Sequence, residues 1–294
     1  MSSQTIRKSS ASSLLSMIRP ANSVLVGFAV VVGIAITSNN YREIFSLTSL
    51  LGFLTGFFIS SFSMVSNDIY DFEVDRVNQP DRPLPSGRIK LNQAKNFSLV
   101  LLVLGLLAAL GLGIANLAIA VLFALIGWYY NFKGKKSGLF GNSLVAASLA
   151  IPYIFGSIAL GNYSINLAYV LAITSFLAGM GREVLKGISD IQGDKLRNVR
   201  TVASSHGIGI AKKVTALFFV LAVLSSVLPI IFGLLGKALP LYLALILLPD
   251  AIFLYLAYRA LVLKIPGETV RLKTFALGGM MLGLVGYLIS GLAI

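Results

Sequence analysis

Long stretches without a charged residue decide what this chain can fold into. Residues 20–38 and 44–66 are each about one membrane crossing long, while 96–132 and 137–181 are too long for one crossing. A helix rises 1.5 Å per residue, so a hydrocarbon core of ~30 Å takes about 20 apolar residues. The segments GLGIAN (111–116) and GNYSIN (161–166) supply turn residues that divide the two long runs. Three further apolar runs, about 214–236, 238–260 and 274–293, complete a set of nine spans. Inside a bilayer every backbone N–H and C=O must be paired internally, which leaves helices or a closed barrel, and the alternation of barrel strands is absent. The expected fold is therefore all-α, an integral membrane bundle of nine transmembrane helices and a single domain over 1–294.

Loop charges test that count. Of the 24 basic residues, 22 fall on one side of the membrane if the N-terminus is inside, and only Arg42 and Lys237 fall on the other. Cytoplasmic loops collect Lys and Arg, so the split predicts a cytoplasmic N-terminus and an external C-terminus. Residues 1–17, polar and Ser-rich, then read as a cytoplasmic tail without a signal-peptide pattern. The net charge of +13 would suggest nucleic acid in a soluble protein; here topology accounts for it, and no nucleic-acid partner is expected. No obligate protein partner is evident either. With no cysteine and one histidine, disulfides, thiol nucleophiles and zinc–thiolate sites are excluded.

Two inside loops, about 67–95 and 182–212, hold eight of the eleven acidic residues. Topology has no use for clustered Asp, so these loops carry something else. The first begins NDIYDFEVDRVNQPDRPLPSG, with Asn67, Asp71 and Asp75 at i, i+4 and i+8 along one helical face and Asp68 one residue off it. Stacked carboxylates repel unless they share a cation, and hard oxygens suit Mg²⁺ held with substrate phosphates. Pro80, Pro83, Pro85 and Gly87 end this segment in an ordered turn that carries Arg82. The second loop reads GREVLKGISDIQGDKLRNVR, again with Asp190 and Asp194 four apart, Glu183 upstream, and Lys186 and Arg197 beside them. The physical sense is one Mg²⁺ for each Asp pair, a diphosphate bridging them, and cations neutralising the remaining phosphate charge. A lone DxxxD is most often a solvated face; two such clusters, both mixed with Arg and Lys on one side, favour the diphosphate reading. A membrane cation transporter is the alternative of another class, but transporters bind ions near the midplane.

The run NDIYDFEVDRVNQPDRPLPSG resembles the first Asp-rich motif, NDxxDxxxD, of the UbiA superfamily of intramembrane prenyltransferases, and DIQGD resembles the second. The extended string through RPLPSG is similar to the branch containing chlorophyll synthases and archaeal ether-lipid synthases that act on geranylgeranylglyceryl phosphate. The resemblance implies a Mg²⁺-dependent transfer of a prenyl group from its diphosphate to a lipid-like acceptor. The acceptor is geranylgeranylglyceryl phosphate or, alternatively, an aromatic quinone precursor or chlorin. It also implies residue roles. Asn67, Asp71 and Asp75 would hold one Mg²⁺, and Asp190 and Asp194 the other, with Asp68 also in the first motif. Arg82, Lys133, Lys186 and Arg197 would face the diphosphate, with Tyr130 beside the reacting centre. Arg19 and Asn22, in RPAN, lie at the mouth of the first span and, with Lys135, Lys136 and Arg200, are candidates for the acceptor, with Lys186 and Arg197 also available for its phosphate.

Smaller signals have plainer readings. Asp250, beside Pro249 in the eighth span, reads first as a hydrogen-bonded structural carboxylate and second as part of a cavity wall. His206 reads as a loop or capping residue, Gly279 and Gly283 as a GxxxG packing face, and Trp128 and Tyr129 as part of an interfacial belt.

Overall fold

A computed structural model describes residues 10–189, 191, 200–264 and 267–294. Among these, nine helices are long and apolar enough to cross a membrane: Pro20–Ser38, Leu47–Tyr70, Leu91–Leu110, Ile114–Phe132, Leu139–Ala159, Leu167–Ser189, Ile208–Ile231, Gly236–Val262 and Glu268–Leu292. No strand occurs among the described residues, only an isolated bridge between Ser137 and Arg200. The chain is thus an all-α, multi-pass membrane protein with the nine spans expected from the apolar runs. The two divided runs break where the turn residues stand, at Gly111–Gly113 and Gly161–Asn166.

Several helices outrun their apolar stretch. The second continues from residue 66 to Tyr70, the sixth through Arg182, Glu183 and Lys186 to Ser189, and the seventh begins at Ile208, ahead of Lys212 and Lys213. Charge marks where hydrocarbon ends, whereas the backbone ladder stops only at a capping or breaking residue, so these helices extend past the lipid-facing limit.

The helices fall into two compact units, Met1–Phe28 with Leu51–Phe132, and Ala29–Leu50 with Lys133–Ile294. In the first, Met17, Ile18, Val65, Leu84, Ile89 and Leu101 form the core. Leu84 and Ile89 are 3% and 2% exposed, so the proline-rich turn is pinned inward rather than left in solvent. Gly87 at φ +73° closes it, a conformation glycine adopts without a Cβ clash.

In the second unit, small residues allow backbones to touch. A Cβ on Gly33 would lie 2.5 Å from the Tyr153 carbonyl, and one on Gly156 would lie 2.4 Å from that of Val30. The GxxxG expectation holds in part. A Cβ on Gly279 would come within 2.9 Å of Ile252, but one on Gly283 would only touch Pro249 at 3.8 Å. Buried polar groups pair across the sixth to ninth spans. Thr174 meets Ser225 at 2.8 Å, Tyr242 donates to the Ser226 carbonyl at 2.6 Å, and Ser226 donates to the Asp250 carboxylate at 2.7 Å. Asp250 is therefore hydrogen-bonded, as expected, and it also borders a cavity of about 20 Å³ with Thr174, Phe253 and Tyr287, room for about one water. His206 ends the short helix Val202–His206, next to Gly207.

Candidate active site

The second span ends at Tyr70, and a short helix, Phe72–Asn78, follows after Asp71. The backbone bonds run through the junction. Asp71 N–H donates to Asn67 O at 2.9 Å, Asp75 to Asp71 at 2.8 Å and Gln79 to Asp75 at 2.8 Å. The four-residue register predicted for Asn67, Asp71 and Asp75 is thereby present. Asp71 is half-buried, while Asp68 and Asp75 are 6% and 5% exposed.

Two buried carboxylates need counter-charges, because an ion out of water costs several kcal/mol unless paired. Arg82, from the pinned turn, supplies one: its guanidinium donates to Asp75 at 2.6 Å and to Asp68 at 3.3 Å. Arg19 supplies the other, donating to Asp68 at 3.1 Å and reaching Asn67 Oδ1 at 3.5 Å and Met64 Sδ at 3.5 Å. Arg19 stands between the helices Ser10–Met17 and Pro20–Ser38 with φ +47°. That left-handed backbone is uncommon for a residue with a Cβ. Its guanidinium thus lies on the first Asp motif. Asn22 is exposed, with its N–H on the Arg19 carbonyl.

Asp68 takes part where helical spacing had set it aside. On an ideal helix, Asp68 and Asp75, seven apart, differ by about 20° in azimuth, whereas Asn67 and Asp75 differ by about 80°. The i, i+7 relation is the one Arg82 uses. A second residue escapes sequence reading altogether. Asn131, 7% exposed at the end of the fourth span, accepts from Asn67 Nδ2 at 2.9 Å and donates to the Ser63 carbonyl at 3.2 Å. The available signal is its place in YYNFKG, beside Tyr130, which is half-buried.

Lys133 and Lys136 are exposed and Lys135 half-buried around the turn Gly134–Lys136. The bridge from Ser137 to Arg200 brings that turn against Arg200, and a Cβ on Gly138 would lie 3.2 Å from the Arg200 carbonyl. A Cβ on Gly187 would in turn touch Thr201 at 3.4 Å. Lys186 therefore sits on the stretch of helix that meets the residue following Arg200, so four acceptor candidates belong to one neighbourhood. Buried Glu183 accepts from Arg182 at 2.6 Å, with the Lys186 ammonium 3.7 Å away. Asp190, Asp194 and Arg197 lie outside the described residues.

Among the described residues no three Asp, Glu or His side chains converge as a ready metal cluster. The donor set of the first motif is nonetheless all oxygen, with one amide and three carboxylates over two turns, which fits a hard cation rather than a soft one.

The sequence pattern of the UbiA prenyltransferase family matches residues 25–285. The chain is 38% identical over 264 residues to digeranylgeranylglyceryl phosphate synthase of Methanocaldococcus jannaschii, covering 88% of each. It is 34% identical over 275 residues to the protein of the same name from Archaeoglobus fulgidus, covering 92% of each. A solved structure concerned with digeranylgeranylglyceryl phosphate synthase in membranes superposes with a TM-score of 0.86 at 33% identity, over 97% of this chain and 99% of that one. A UbiA homolog from Archaeoglobus fulgidus, bound to GPP and Mg²⁺, shares the fold with a TM-score of 0.67 at 15% identity, over 96% of this chain and all of the other.

Proposed function

The chain belongs to the UbiA prenyltransferase family, and we propose that it transfers a geranylgeranyl group from geranylgeranyl diphosphate to geranylgeranylglyceryl phosphate, in the synthesis of archaeal ether lipids. The observation that carries this reading is the 38% identity to a synthase of that name across 88% of both chains. In the reaction the allylic C1–O bond to the diphosphate breaks and the acceptor hydroxyl forms the ether bond. Diphosphate leaves and one proton is released.

The chemistry asks for neutralisation of a leaving group with several negative charges, held away from water. Asn67, Asp71 and Asp75, with Asp190 and Asp194, would hold Mg²⁺, which would supply most of that neutralisation. Arg82 and Arg19 supply counter-charge to the buried carboxylates Asp68 and Asp75 and hold them in register. Lys133 and Arg197 face the diphosphate, and Tyr130 the reacting centre. The acceptor keeps its own phosphate throughout, and Lys135, Lys136, Lys186 and Arg200 form the basic neighbourhood that would take it. The N-terminus and this active site face the cytoplasm. Reporter fusions at the two termini are expected to report opposite sides, and both on one side would overturn the orientation.

The test is a product assay on purified protein with Mg²⁺, labelled geranylgeranyl diphosphate, and either geranylgeranylglyceryl phosphate or 4-hydroxybenzoate as acceptor. The glyceryl phosphate should be the substrate. A charge-assisted bond to phosphate is worth ~1.5–3 kcal/mol, so Lys186→Met should raise the KM for this acceptor by roughly 10- to 100-fold and change the donor KM much less. Faster prenylation of the neutral aromatic acceptor would sink the ether-lipid assignment and leave the family intact.

A further inference from the structure

The first Asp motif contains one amide among its carboxylates, and an amide is useful to a cation only if its oxygen faces it. Asn67 can be turned either way by a half-rotation of its side chain. Its orientation is set by a chain of donors and acceptors that begins at the Ser63 carbonyl. A carbonyl oxygen only accepts. Asn131 must therefore turn its Nδ2 to Ser63, at 3.2 Å, which leaves its Oδ1 facing Asn67. That oxygen in turn demands the Asn67 Nδ2, at 2.9 Å. The Asn67 Oδ1 is then the atom left to face the carboxylate row, on the side from which the Arg19 guanidinium, also donor-only, approaches at 3.5 Å. The helix contact needed for this is provided one turn earlier, where a Cβ on Gly127 would strike the Ser63 hydroxyl at 2.7 Å. Asn131 is itself 7% exposed, so its two bonds are shielded from competing water.

We propose that Asn131 is a positioning residue that fixes the Asn67 amide with its oxygen toward the bound cation. This rests on the metal-dependent reading above. Residues that orient a metal ligand typically carry 10- to 100-fold in metal affinity, roughly the effect expected here.

The experiment uses the purified full-length protein with Mn²⁺ alone as the probe, free ion being counted by electron paramagnetic resonance, and a parallel Mg²⁺ titration of turnover. Asn131→Ala should weaken Mn²⁺ binding by about 10-fold or more, raise the half-saturating Mg²⁺ in step, and leave the donor KM at saturating Mg²⁺ within ~3-fold. In an Asn67→Asp background a carboxylate presents an oxygen whichever way it is turned, so adding Asn131→Ala there should change Mn²⁺ binding by less than ~3-fold. Asn131→Ser, too short to reach Asn67, replaces the alanine variant if that one does not fold, with the same expectations. Wild-type Mn²⁺ affinity in the alanine or serine variant overturns the proposal, as does an equally large loss on adding Asn131→Ala to the Asn67→Asp protein. Wild-type protein that binds no Mn²⁺ and turns over in EDTA would instead remove the metal-dependent reading, and this inference with it.

Discussion

Asp71→Asn should cut turnover by roughly 10³-fold while the protein still inserts and melts near its normal temperature. The two halves of that expectation have different sources. Removing one group that stabilises the departing charge costs about 10²–10³-fold, and a metal-binding carboxylate stands at the upper end because its loss also weakens the cation. Stability is spared because Asp71 is half-buried at a helix junction, not sealed in the interior. Asp68→Asn and Asp75→Asn differ in kind. Their carboxylates are 6% and 5% exposed and share Arg82, so neutralising either leaves a guanidinium short of its counter-charge. Breaking one side of a fully buried pair costs about 3–5 kcal/mol, less where the guanidinium left behind keeps contact with solvent as Arg82 and Arg19 do, and these two variants should still lose melting temperature as well as activity. Turnover and thermal midpoint, measured on all three variants, separate the roles. EDTA should silence the wild type and Mg²⁺ should restore it. An Asp71→Asn enzyme retaining a tenth of wild-type turnover would remove Asp71 from the site.

The span count is legible in the sequence because lipid transfer sums over about 20 residues, so one exceptional side chain such as Asp250 cannot erase the signal. Helix ends are less legible: Asp68 and Lys186 belong to helices that continue past the apolar run. The first site is visible as a periodicity of four, which finds Asn67, Asp71 and Asp75. That periodicity hides the partnership of Asp68 with Asp75, because a seven-residue separation is not read as a local pair although its azimuth agrees better. Arg19 and Asn131 come from sequence positions 49 and 64 residues away from their partners Asp68 and Asn67. No local spacing encodes such contacts. Arg19 stands out in the sequence only through its RPAN setting, which points to the acceptor rather than to Asp68, and Asn131 is inconspicuous between Tyr130 and Lys133.

Gly156→Leu should prevent stable folding of the unit that contains it. Usually a helical glycine is a weakness, and replacing it with a better helix former gains about 0.5–1 kcal/mol. Here the sign reverses. A Cβ at position 156 would lie 2.4 Å from the Val30 carbonyl oxygen, 2.7 Å from the Ile34 nitrogen and 2.9 Å from the Gly33 carbonyl carbon. All three are backbone atoms of the first span, so no side chain can swing aside. The contact is reciprocal, since a Cβ on Gly33 would meet the Tyr153 backbone at 2.5 Å. Relief requires moving a helix, and with it the packing of Val32, Ile36 and Tyr153 in the surrounding core. Lipid offers no hydrophobic force to press the separated helices together again, because association in a bilayer depends on close backbone approach. Overpacking that rotamers can absorb costs ~1–3 kcal/mol, and a clash between two backbones should exceed it. Even Gly156→Ala should therefore melt lower than wild type. Gly278→Leu is the control: position 278 stands on the ninth span with nothing within 4 Å of where a Cβ would lie, so the same substitution should leave the melting temperature unchanged or slightly higher. Equal stability of the Gly156→Leu and Gly278→Leu proteins in detergent would mean that the first and fifth spans are not held in this contact.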